Sequence, residues 1–386
     1  MEEWKTYKLG EVITVLDYKR VPLSSKERES RKGIYPYYGA QGIIDYIDDF
    51  IFDGEYLLIA EDGENLKSQK QNVAQIARGK YWVNNHAHIV ESNGKCDIRY
   101  ICYLLNSMDL SGYITGSAQP KLNQANLLAI ELNLPDLHAQ IRIADMLSKF
   151  DNKIALNNRI NHNLEEQAQA LYKSWFVDFE PFKDGKFVDS ELGMIPEKWS
   201  VKSLGEVTKE MRDKVGARQD VKVLSPVTSG RLVLSEEFFT KQVFSENIAK
   251  YLLVRPGDFA YNPARVNIGS LGLNEYSFDG CVSPVYVVFR CENGYNHFFD
   301  LYRTTVPFKD EVLSRSSGGV RQTLGYKDFA LIRIVYPSKD VIDSFNSLYE
   351  RLIAVQKSKI KENEILSSQR DALLPLLISG QVLCVD

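Results

Sequence analysis

The most regular pattern of hydrophobic and polar positions in this chain is helical, and it occurs twice. Residues 139–176 contain no Gly or Pro, and their apolar residues alternate at spacings of three and four: Ile143, Leu147, Phe150 and Ile154, then Leu164, Ala168, Leu171 and Trp175. A similar series runs through 341–374, at Phe345, Leu348, Leu352 and Val355, and later at Leu366 and Leu373. This spacing predicts two long helices, each with one apolar face.

Each predicted helix is roughly 50 Å long at 1.5 Å per residue, and such a helix is not stable alone in water. We expect the two helices to pair antiparallel and to hold apart two globular parts of the chain. In the alternative arrangement, each helix packs on its own half. Asn157 and Asn161 interrupt the first apolar series, and they either fix the register of the pair or face solvent. Pro375 and Gly380 are expected to end the second helix.

Repeated segments indicate that the chain is duplicated. The three pairs are WKTYKLGEV (4–12) with WSVKSLGEV (199–207), GSAQPKL (116–122) with GGVRQTL (318–324), and LLAIELNLP (127–135) with FALIRIVYP (329–337). The first pair fits W-x-x-x-x-L-G-E-V. Because the period is about 200 residues, the repeat predicts a duplicated domain and not a solenoid.

The segments before the two helices have the composition of mixed domains. Runs of β-branched and aromatic residues predict strands at 56–60, 81–91, 251–254 and 281–290, and helical spacing predicts a short helix over Arg99–Met108. We therefore predict an α+β fold, in which two mixed α/β domains are joined by two long antiparallel coiled-coil helices, as a pseudo-twofold internal duplication. The predicted divisions are 1–135, 136–186 (helix and linker), 187–337 and 338–386 (second helix).

Length and composition narrow the class of protein. A chain of 386 residues suits two or three domains, and 44% hydrophobic with 25% charged residues is typical of a globular protein. The longest apolar runs are too short to span a membrane, and the first residues do not form a secretory signal. The five cysteines are widely spaced and lack a C-x-x-C pair, which predicts reduced thiols in a cytoplasmic protein.

The sequence lacks several motifs that carry catalysis. It contains no G-x-x-x-x-G-K-[ST], G-x-S-x-G or H-E-x-x-H. His86 and His88 alternate in a predicted strand without an evident third ligand, so a structural role is favoured over a metal site. Residues 261–264 (YNPA) depart from the N-P-P-Y of adenine methyltransferases and predict a turn. The acidic run 61–64 is expected to be solvated. We therefore expect no catalytic residue, resident cofactor or metal.

Several segments resemble type I restriction–modification specificity subunits. They are LYKSWFVDFEPF (171–182), SELGMIPEKWSVKSLGEV (190–207), YYGAQGIIDYIDDFIFDGEYLLIAEDGENL (37–66), NNHAHIV (84–90), GSAQPKLNQ (116–124) and LLPLLISGQV (373–382). The resemblance covers essentially the whole chain in the order of that family. The second globular segment, with PGDFAYNPARVNIGSLG (256–272), follows a different family pattern from the first.

The resemblance implies a non-catalytic subunit with two target-recognition domains, 1–135 and 187–337, each of which reads one half of a split, asymmetric DNA site. In that family, two methyltransferase subunits bind the specificity subunit and use S-adenosylmethionine to methylate adenine. Restriction subunits that use ATP and Mg²⁺ translocate and cleave unmethylated DNA. No membrane association is implied.

Charge and residue type suggest which side chains contact DNA. Segment 186–337 is net basic, with 20 basic and 18 acidic residues, whereas 1–135 has 15 basic and 18 acidic residues. Arg and Lys suit guanine, and Asn and Gln suit adenine. The candidates in the first domain are Lys67, Gln69, Lys70, Arg78, Lys80, Gln119 and Lys121, and those in the second are Arg265, Asn267, Arg315, Ser317 and Arg321.

An aromatic cluster at the end of the first helix is a candidate for binding the methyltransferase, because aromatic residues are enriched in interface cores. Its members are Tyr172, Trp175, Phe176, Phe179 and Phe182. Packing against the neighbouring domain is the alternative. Two further hypotheses for the whole chain are a specificity subunit whose partner both methylates and cuts DNA, and a helical adaptor with no DNA role.

Overall fold

A computed structural model describes residues 4–68, 71–116, 119–239, 244–316 and 323–381. The chain forms two compact units: the first comprises residues 1–158 together with 359–386, and the second comprises 159–358. Each unit therefore contains part of both predicted long helices. The finer division into recognition domains at 1–135 and 187–337 stays a prediction.

The strands, in chain order, are β1 (Lys5–Lys8), β2 (Ile13–Val15), β3 (Lys32–Gly39), β4 (Gly42–Ile47), β5 (Phe52–Ala60), β6 (Ala74–Val83), β7 (Ala87–Ser92), β8 (Glu131–Leu134), β9 (Phe187–Val188), β10 (Ile195–Pro196), β11 (Ser200–Ser203), β12 (Thr208–Met211), β13 (Lys222–Pro226), β14 (Leu232–Leu234), β15 (Leu252–Val254), β16 (Phe259–Tyr261), β17 (Leu271–Leu273), β18 (Gly280–Val282), β19 (Val287–Cys291) and β20 (Arg333–Tyr336).

The α-helices are α1 (Ser25–Ser30), α2 (Asn65–Ser68), α3 (Ile98–Ser107), α4 (Gln124–Leu128), α5 (Leu137–Phe176), α6 (Leu204–Val207), α7 (Ser235–Phe238), α8 (Asn296–Tyr302), α9 (Val306–Arg315), α10 (Tyr326–Phe329) and α11 (Lys339–Ile378). The two long helices match the two predicted from apolar spacing. None of the helices among the described residues is long and apolar enough to cross a membrane.

The first unit is built on a six-stranded sheet with the order β2-β7-β5-β6-β3-β4. Leu57 and Ile59 of β5 are fully buried in a core that they share with α3. The predicted helix at 99–108 is confirmed as α3, and it begins where the Asp97 carboxylate accepts hydrogen bonds from the backbone N–H groups of Arg99 and Tyr100.

The second unit contains two four-stranded sheets, β12-β19-β16-β17 and β14-β13-β18-β15. Its main core is aromatic. The rings of Phe259 and Phe289 stack with their centroids 5.2 Å apart, and Phe299 meets both of them edge-on. Such offset and edge-to-face pairs add to the stabilisation from burial alone.

One sheet recurs in both units with the same strand order and register. The order β2-β7-β5-β6 in the first unit corresponds to β12-β19-β16-β17 in the second, and all neighbouring pairs are antiparallel. Equivalent strand partners are Ile13 with Ser92 and Thr208 with Cys291, and likewise Ile59 with His88 and Tyr261 with Val287. The duplication therefore extends through regions where the two sequences differ.

The repeated W-x-x-x-x-L-G-E-V motif forms the same local structure in each unit. The strand within the motif pairs with the third repeated segment, as β1 with β8 and as β11 with β20. Leu9 donates its N–H to the Ile130 carbonyl at 2.8 Å, and Leu204 does the same to Ile332. A Cβ on Gly205 would lie 3.0 Å from Ala330 Cβ, so the close approach of the two backbones favours Gly there.

Two of the predicted strands are interrupted by turns at equivalent places. The run 81–91 divides between β6 and β7, and the run 281–290 divides between β18 and β19, so the prediction of two continuous strands was wrong. The Asn84 side chain accepts the N–H of His86 at 2.8 Å and closes the first turn. Pro284 lies in the second turn, where its missing N–H cannot join a strand ladder.

The long helices pack against each other within the first unit. Ile143 and Leu147 of α5 share a core with Leu377 of α11. Arg370 Nη1 lies 2.6 Å from Asp151 Oδ1. These pairings are antiparallel, and the predicted α+β fold with two long packed helices is confirmed.

A polar layer interrupts this helix pair. Asn157 is fully buried, and its Nδ2 donates to Asn363 Oδ1 at 2.9 Å and to Glu362 Oε2 at 3.1 Å. Asn363 Nδ2 in turn donates to Asn158 Oδ1 at 2.8 Å. The alternative that Asn157 faces solvent is therefore wrong.

The second unit holds the other halves of the two helices. Phe176 of α5 packs edge-on against Phe345 of α11 with their centroids 4.8 Å apart, and Gln356 Nε2 donates to Glu165 Oε1 at 2.8 Å. Here too the two helices run antiparallel.

Pro375 does not end the second helix as predicted. α11 continues to Ile378, and the chain leaves the helix at Gly380, where φ is 71°. Leu377 is almost fully buried in the core of the first unit. Its burial favours continuation of the helix past Pro375, which removes one backbone hydrogen bond.

Candidate nucleic-acid interface

Three loops meet at one end of the sheet in the first unit. They are 61–64 after β5, 84–86 before β7, and the segments 115–116 and 119–122. Leu122 N–H donates to the Glu61 carbonyl at 2.8 Å, and Glu61 N–H donates to the His86 carbonyl at 2.9 Å. These loops are called the first edge.

An ion-pair network fixes the first edge to the sheet. Arg20 Nη1 lies 2.8 Å from Glu61 Oε2, and Lys121 Nζ lies 3.1 Å from Glu61 Oε1. Burial raises the pKa of the Glu61 carboxyl, but hydrogen bonds from Arg20 and Lys121 outweigh burial, and the pKa is lowered overall. Glu61 therefore stays ionised and joins Arg20 to Lys121.

The buried part of this network contains His88. Its Nδ1 lies 2.6 Å from Asp17 Oδ2, and its Nε2 donates to the Leu122 carbonyl at 2.8 Å. Burial raises the pKa of the Asp17 carboxyl. Hydrogen bonds from His88 and from the Ile89 N–H lower it by more, so the net pKa lies below the usual value. The buried His88 thus links Asp17 to the backbone of Leu122 in the first edge.

Asp17, Glu61 and His88 also bring three possible metal-ligand atoms within 4.8 Å of one another. Arg20 contacts both carboxylates, at 3.2 Å from Asp17 and 2.8 Å from Glu61. Both ring nitrogens of His88 already have partners. The positive charge that these acids require is supplied by Arg20, so the arrangement supports the structural role of His88.

The structure divides the first-domain candidates into two groups. Lys121 and the exposed Gln119 lie in the first edge, and Lys67 is exposed on α2, which follows the 61–64 loop. Arg78 and Lys80 lie further along β6. Lys80 is roughly 20 Å, at 3.3 Å per residue, from Ala74, the residue at which this strand begins. Arg78 pairs with Glu55 at 2.5 Å, and Lys80 Nζ lies 4.6 Å from the centre of the Phe50 ring. Gln69 and Lys70 are outside the described residues.

The second unit has an equivalent edge. The loop 262–269 follows β16, the turn 283–286 precedes β19, and Leu324 N–H donates to the Pro263 carbonyl at 3.1 Å. This hydrogen bond matches the one from Leu122 to Glu61 in the first unit. These loops are called the second edge, and the predicted turn at 261–264 is confirmed.

The second edge carries Arg265 and Asn267. Arg265 is exposed and close enough to Tyr286 to lower the pKa of its hydroxyl, although burial of Tyr286 has the larger effect and raises that pKa. Asn267 lies in a single 3-10 turn, Val266–Ile268, that contacts α9. Arg315 ends α9 and pairs with Glu311 at 2.7 Å. Ser317 and Arg321 are outside the described residues.

Sequence reasoning missed four residues at these edges. Arg20 lies far from the first edge in sequence and reaches it only through the fold. His86 was weighed as a metal ligand and as a structural residue, the latter favoured, yet its side chain is 49% exposed beside Asp62. Val285 and Ile268 project from the second edge with 70% and 53% exposure. Apolar residues in loops carry no local signal of exposure, so only the structure identifies these two.

The aromatic cluster at the end of α5 packs mainly within the second unit. Tyr172 and Phe176 are buried, at 6% exposure each, and Phe176 contacts Trp199. Trp175, Phe179 and Phe182 are partly buried against the same core. The packing alternative therefore accounts for Tyr172 and Phe176, while the other three keep exposed surface.

Comparisons with known proteins agree with these features. The family model described as the type I restriction modification DNA specificity domain matches residues 1–166. A putative type I restriction enzyme specificity subunit of Haemophilus influenzae is 27% identical over 278 residues, covering 72% of this chain and 68% of the relative. The MjaIX specificity subunit of Methanocaldococcus jannaschii is also 27% identical, over 304 residues, covering 73% of this chain and 68% of the relative.

Two comparisons extend over nearly the whole chain. The putative MjaX specificity subunit of M. jannaschii is 24% identical over 418 residues, covering 99% of this chain and 94% of the relative. The crystal structure of the type I restriction–modification S subunit from M. genitalium has the same fold, with a TM-score of 0.57 at 14% identity, covering 97% of this chain and 96% of that one. Residues 1–166 thus match the family of type I restriction–modification DNA specificity domains, and the chain is similar over nearly its whole length to a specificity subunit of that kind.

Proposed function

We propose that this chain reads a split, asymmetric DNA site, with one half-site read at the first edge and the other at the second. The observation that carries this proposal is the shared sheet register of the two units. Equivalent loops surround equivalent strand ends, but they carry Glu61, Asp62 and His86 in one unit and Pro263, Ala264 and Val285 in the other. Two readers with the same frame and different side chains suit two different base sequences.

Cationic side chains at the edges would contact phosphates and set the position of the protein on DNA. Lys67 and Lys121 serve this role in the first domain, and Arg265 and Arg315 serve it in the second. Phosphate contacts make binding salt-dependent without selecting a sequence, while polar groups such as Gln119 and Asn267 read base edges in the major groove. Arg78 and Lys80 extend the contact along the strand.

The long helices have two roles in this proposal. Their pairing sets the length of DNA between the half-sites, because contacts are made only at the two edges. The exposed parts of Trp175, Phe179 and Phe182 contribute to the docking of a methyltransferase subunit. Tyr172 and Phe176 support this surface from within the core.

The chain is the non-catalytic specificity subunit of a type I restriction–modification system, and its partners supply the chemistry. Two methyltransferase subunits use S-adenosylmethionine to methylate adenine in each half-site. Restriction subunits use ATP and Mg²⁺ to translocate and cleave unmethylated DNA. The complex acts on chromosomal and incoming DNA in the cytoplasm.

A related arrangement has one partner that both methylates and cuts DNA. The two arrangements make the same use of this chain, and they differ in whether methylation and cleavage are lost together when one partner is removed. If the chain were a helical adaptor without a DNA role, its two globular units would have no functional reason to carry different side chains at equivalent loops.

The test is to express the chain with its methyltransferase subunit and to map methylated adenines by single-molecule sequencing. The expected result is one bipartite motif with a constant gap, and no methylation by either protein alone. Methylation without sequence preference, or methyl transfer by the isolated chain, would contradict the proposal.

A further inference from the structure

His86 and Val285 occupy the same position in the two units. In the first sheet, Ile59 of β5 pairs with His88 of β7. In the second, Tyr261 of β16 pairs with Val287 of β19. His86 and Val285 therefore each lie two residues before an equivalent strand partner, in the turn that precedes the strand.

Both side chains project into solvent from well-held backbone. The His86 N–H donates to Asn84 Oδ1 at 2.8 Å, and the His86 carbonyl accepts the Glu61 N–H at 2.9 Å. In the second unit, Tyr286 N–H donates to the Ser283 carbonyl at 3.0 Å, and the ring of Pro284 restricts the turn. A side chain on a restrained backbone loses less conformational entropy on binding than one on a mobile loop.

The exposure of Val285 does not serve the stability of the unit. Its side chain is 70% exposed, and Ile268 on the neighbouring loop is 53% exposed. Arg265, on the loop that also carries Ile268, is exposed too, and it lies close enough to Tyr286, the neighbour of Val285, to act on its hydroxyl. An apolar side chain beside a cation at the end of a sheet matches the combination that contacts a base-edge methyl group and a phosphate.

The chemistry of His86 is different. Its Nδ1 lies 2.7 Å from Asp62 Oδ2. Because a carboxylate accepts, Nδ1 donates to Asp62, and in the neutral tautomer that makes this hydrogen bond Nε2 is the acceptor. An outward-facing acceptor suits the exocyclic amino group of adenine or cytosine.

We propose that His86 and Val285 are equivalent base-reading positions, with His86 accepting from a base amino group in one half-site and Val285 contacting a thymine methyl group in the other. The inference rests on the proposed function of the two edges. It assigns the specificity of one base pair in each half-site to a single side chain, and Asp62 becomes a positioning residue for His86.

The experiment uses the complex of the full chain with its methyltransferase subunit and maps methylated adenines by single-molecule sequencing. Val285→Ser is expected to reduce the preference for one base pair in one half-site roughly ten- to hundredfold, and His86→Ala is expected to do so in the other half-site only. Val285→Thr keeps a methyl group and is expected to retain the preference.

Matched controls separate base reading from general damage. Val306→Ser changes another exposed valine of the second unit, at 68% exposure, and His138→Ala changes an exposed histidine at the start of α5. Neither control is expected to change the motif. The methylation maps of two variants are compared only if their melting temperatures are equal, or after the extent of methylation is corrected for the fraction of folded protein.

The outcomes distinguish this inference from the proposed function. If the wild-type complex methylates one bipartite motif and both edge variants keep it unchanged, the assignment of His86 and Val285 is wrong while the proposed function stands. If Val285→Thr loses methylation as completely as Val285→Ser, or if one variant alters both half-sites, the assignment also fails. If the wild-type complex has no bipartite motif, the proposed function fails.

Discussion

At the scale of single residues, the first edge depends on charges that are partly withdrawn from water. Asp17 and Glu61 are held by Arg20, His88 and Lys121, and the pKa of each carboxyl is lowered although burial acts in the opposite direction. A carboxyl whose pKa is lower in the folded protein stabilises the fold above its unfolded pKa. That stabilisation is lost as the pH falls through the folded pKa.

Asp17→Asn is therefore expected to flatten the acid side of the stability profile. From about pH 5 to about pH 3, the wild type should lose on the order of 1 kcal/mol more stability than the variant. Denaturant unfolding at a series of pH values measures this difference. The exposed Asp53→Asn in β5 is the control, and parallel curves for wild type and Asp17→Asn would contradict the prediction.

The loop of the second edge depends on one glycine. Gly269 has φ of 95°, and a Cβ there would lie 2.7 Å from the Thr228 carbonyl oxygen. Gly269→Ala should lower the free energy of unfolding by about 2–4 kcal/mol, from backbone strain and crowding together. Gly193 has φ of 97° but open space around it, so Gly193→Ala should cost only about 1–2 kcal/mol. Equal melting temperatures for the two variants would show that crowding at Thr228 is unimportant.

At the scale of secondary-structure elements, local patterns predict the long helices well because 3.6-residue periodicity is a local property. α5 and α11 begin within two residues of the predicted starts at 139 and 341. The turns that interrupt 81–91 and 281–290 escaped prediction because their residues lie within strong β-forming runs. The register that places His86 and Val285 at equivalent sites depends on strand pairing, and the sequence of either strand alone does not reveal it.

The polar layer of the helix pair gives a prediction at this scale. Asn157→Leu or Asn363→Leu alone removes the hydrogen bond between the two amides and should cost about 1–2 kcal/mol, although Asn157 keeps Glu362 and Asn363 keeps Asn158 as a second partner. The double variant should be less destabilised than the sum of the two by about 0.5–3 kcal/mol. Denaturant unfolding of all four proteins measures this coupling energy.

The control for the polar layer is the pair of Asn152→Leu with Asn363→Leu, because Asn152 is exposed on the same helix. Its two changes should add. Additive effects for Asn157 and Asn363 as well would mean that their hydrogen bond contributes nothing to the stability of the helix pair.

At the scale of the whole molecule, duplication explains why the same motif occurs at the amino terminus and again near the middle of the chain. Each copy of W-x-x-x-x-L-G-E-V is followed by an equivalent sheet. The two units share the strand order and register of this sheet, while their edge loops differ. The fold class followed from the repeats and the helical spacing. The make-up of the first edge did not, since Arg20 and His86 join the candidate Lys121 there only in the folded unit, while the candidates Arg78 and Lys80 lie further along β6.

If the helix pair sets the gap in the DNA site, lengthening both helices should lengthen the gap. Seven residues inserted into each of α5 and α11 at paired positions add about 10.5 Å, or about three base pairs, and preserve the apolar faces. Single-molecule sequencing of methylated adenines reads the new gap directly. Insertion into α5 alone mismatches the pair and should reduce methylation, and an unchanged gap after the double insertion would exclude the helices as the spacer.

The buried thiols have a practical consequence. Cys96, Cys102, Cys281 and Cys291 are all buried, and burial raises the pKa of Cys96 to about 11 and those of Cys102 and Cys281 to about 12. Thiols of this kind react slowly with alkylating reagents. Once Cys384, which lies outside the described residues, is replaced by Ser, a cysteine introduced at an edge position would be the main target for a photocrosslinker. The molecule can then report, one labelled position at a time, which of its loops lies against which nucleotide.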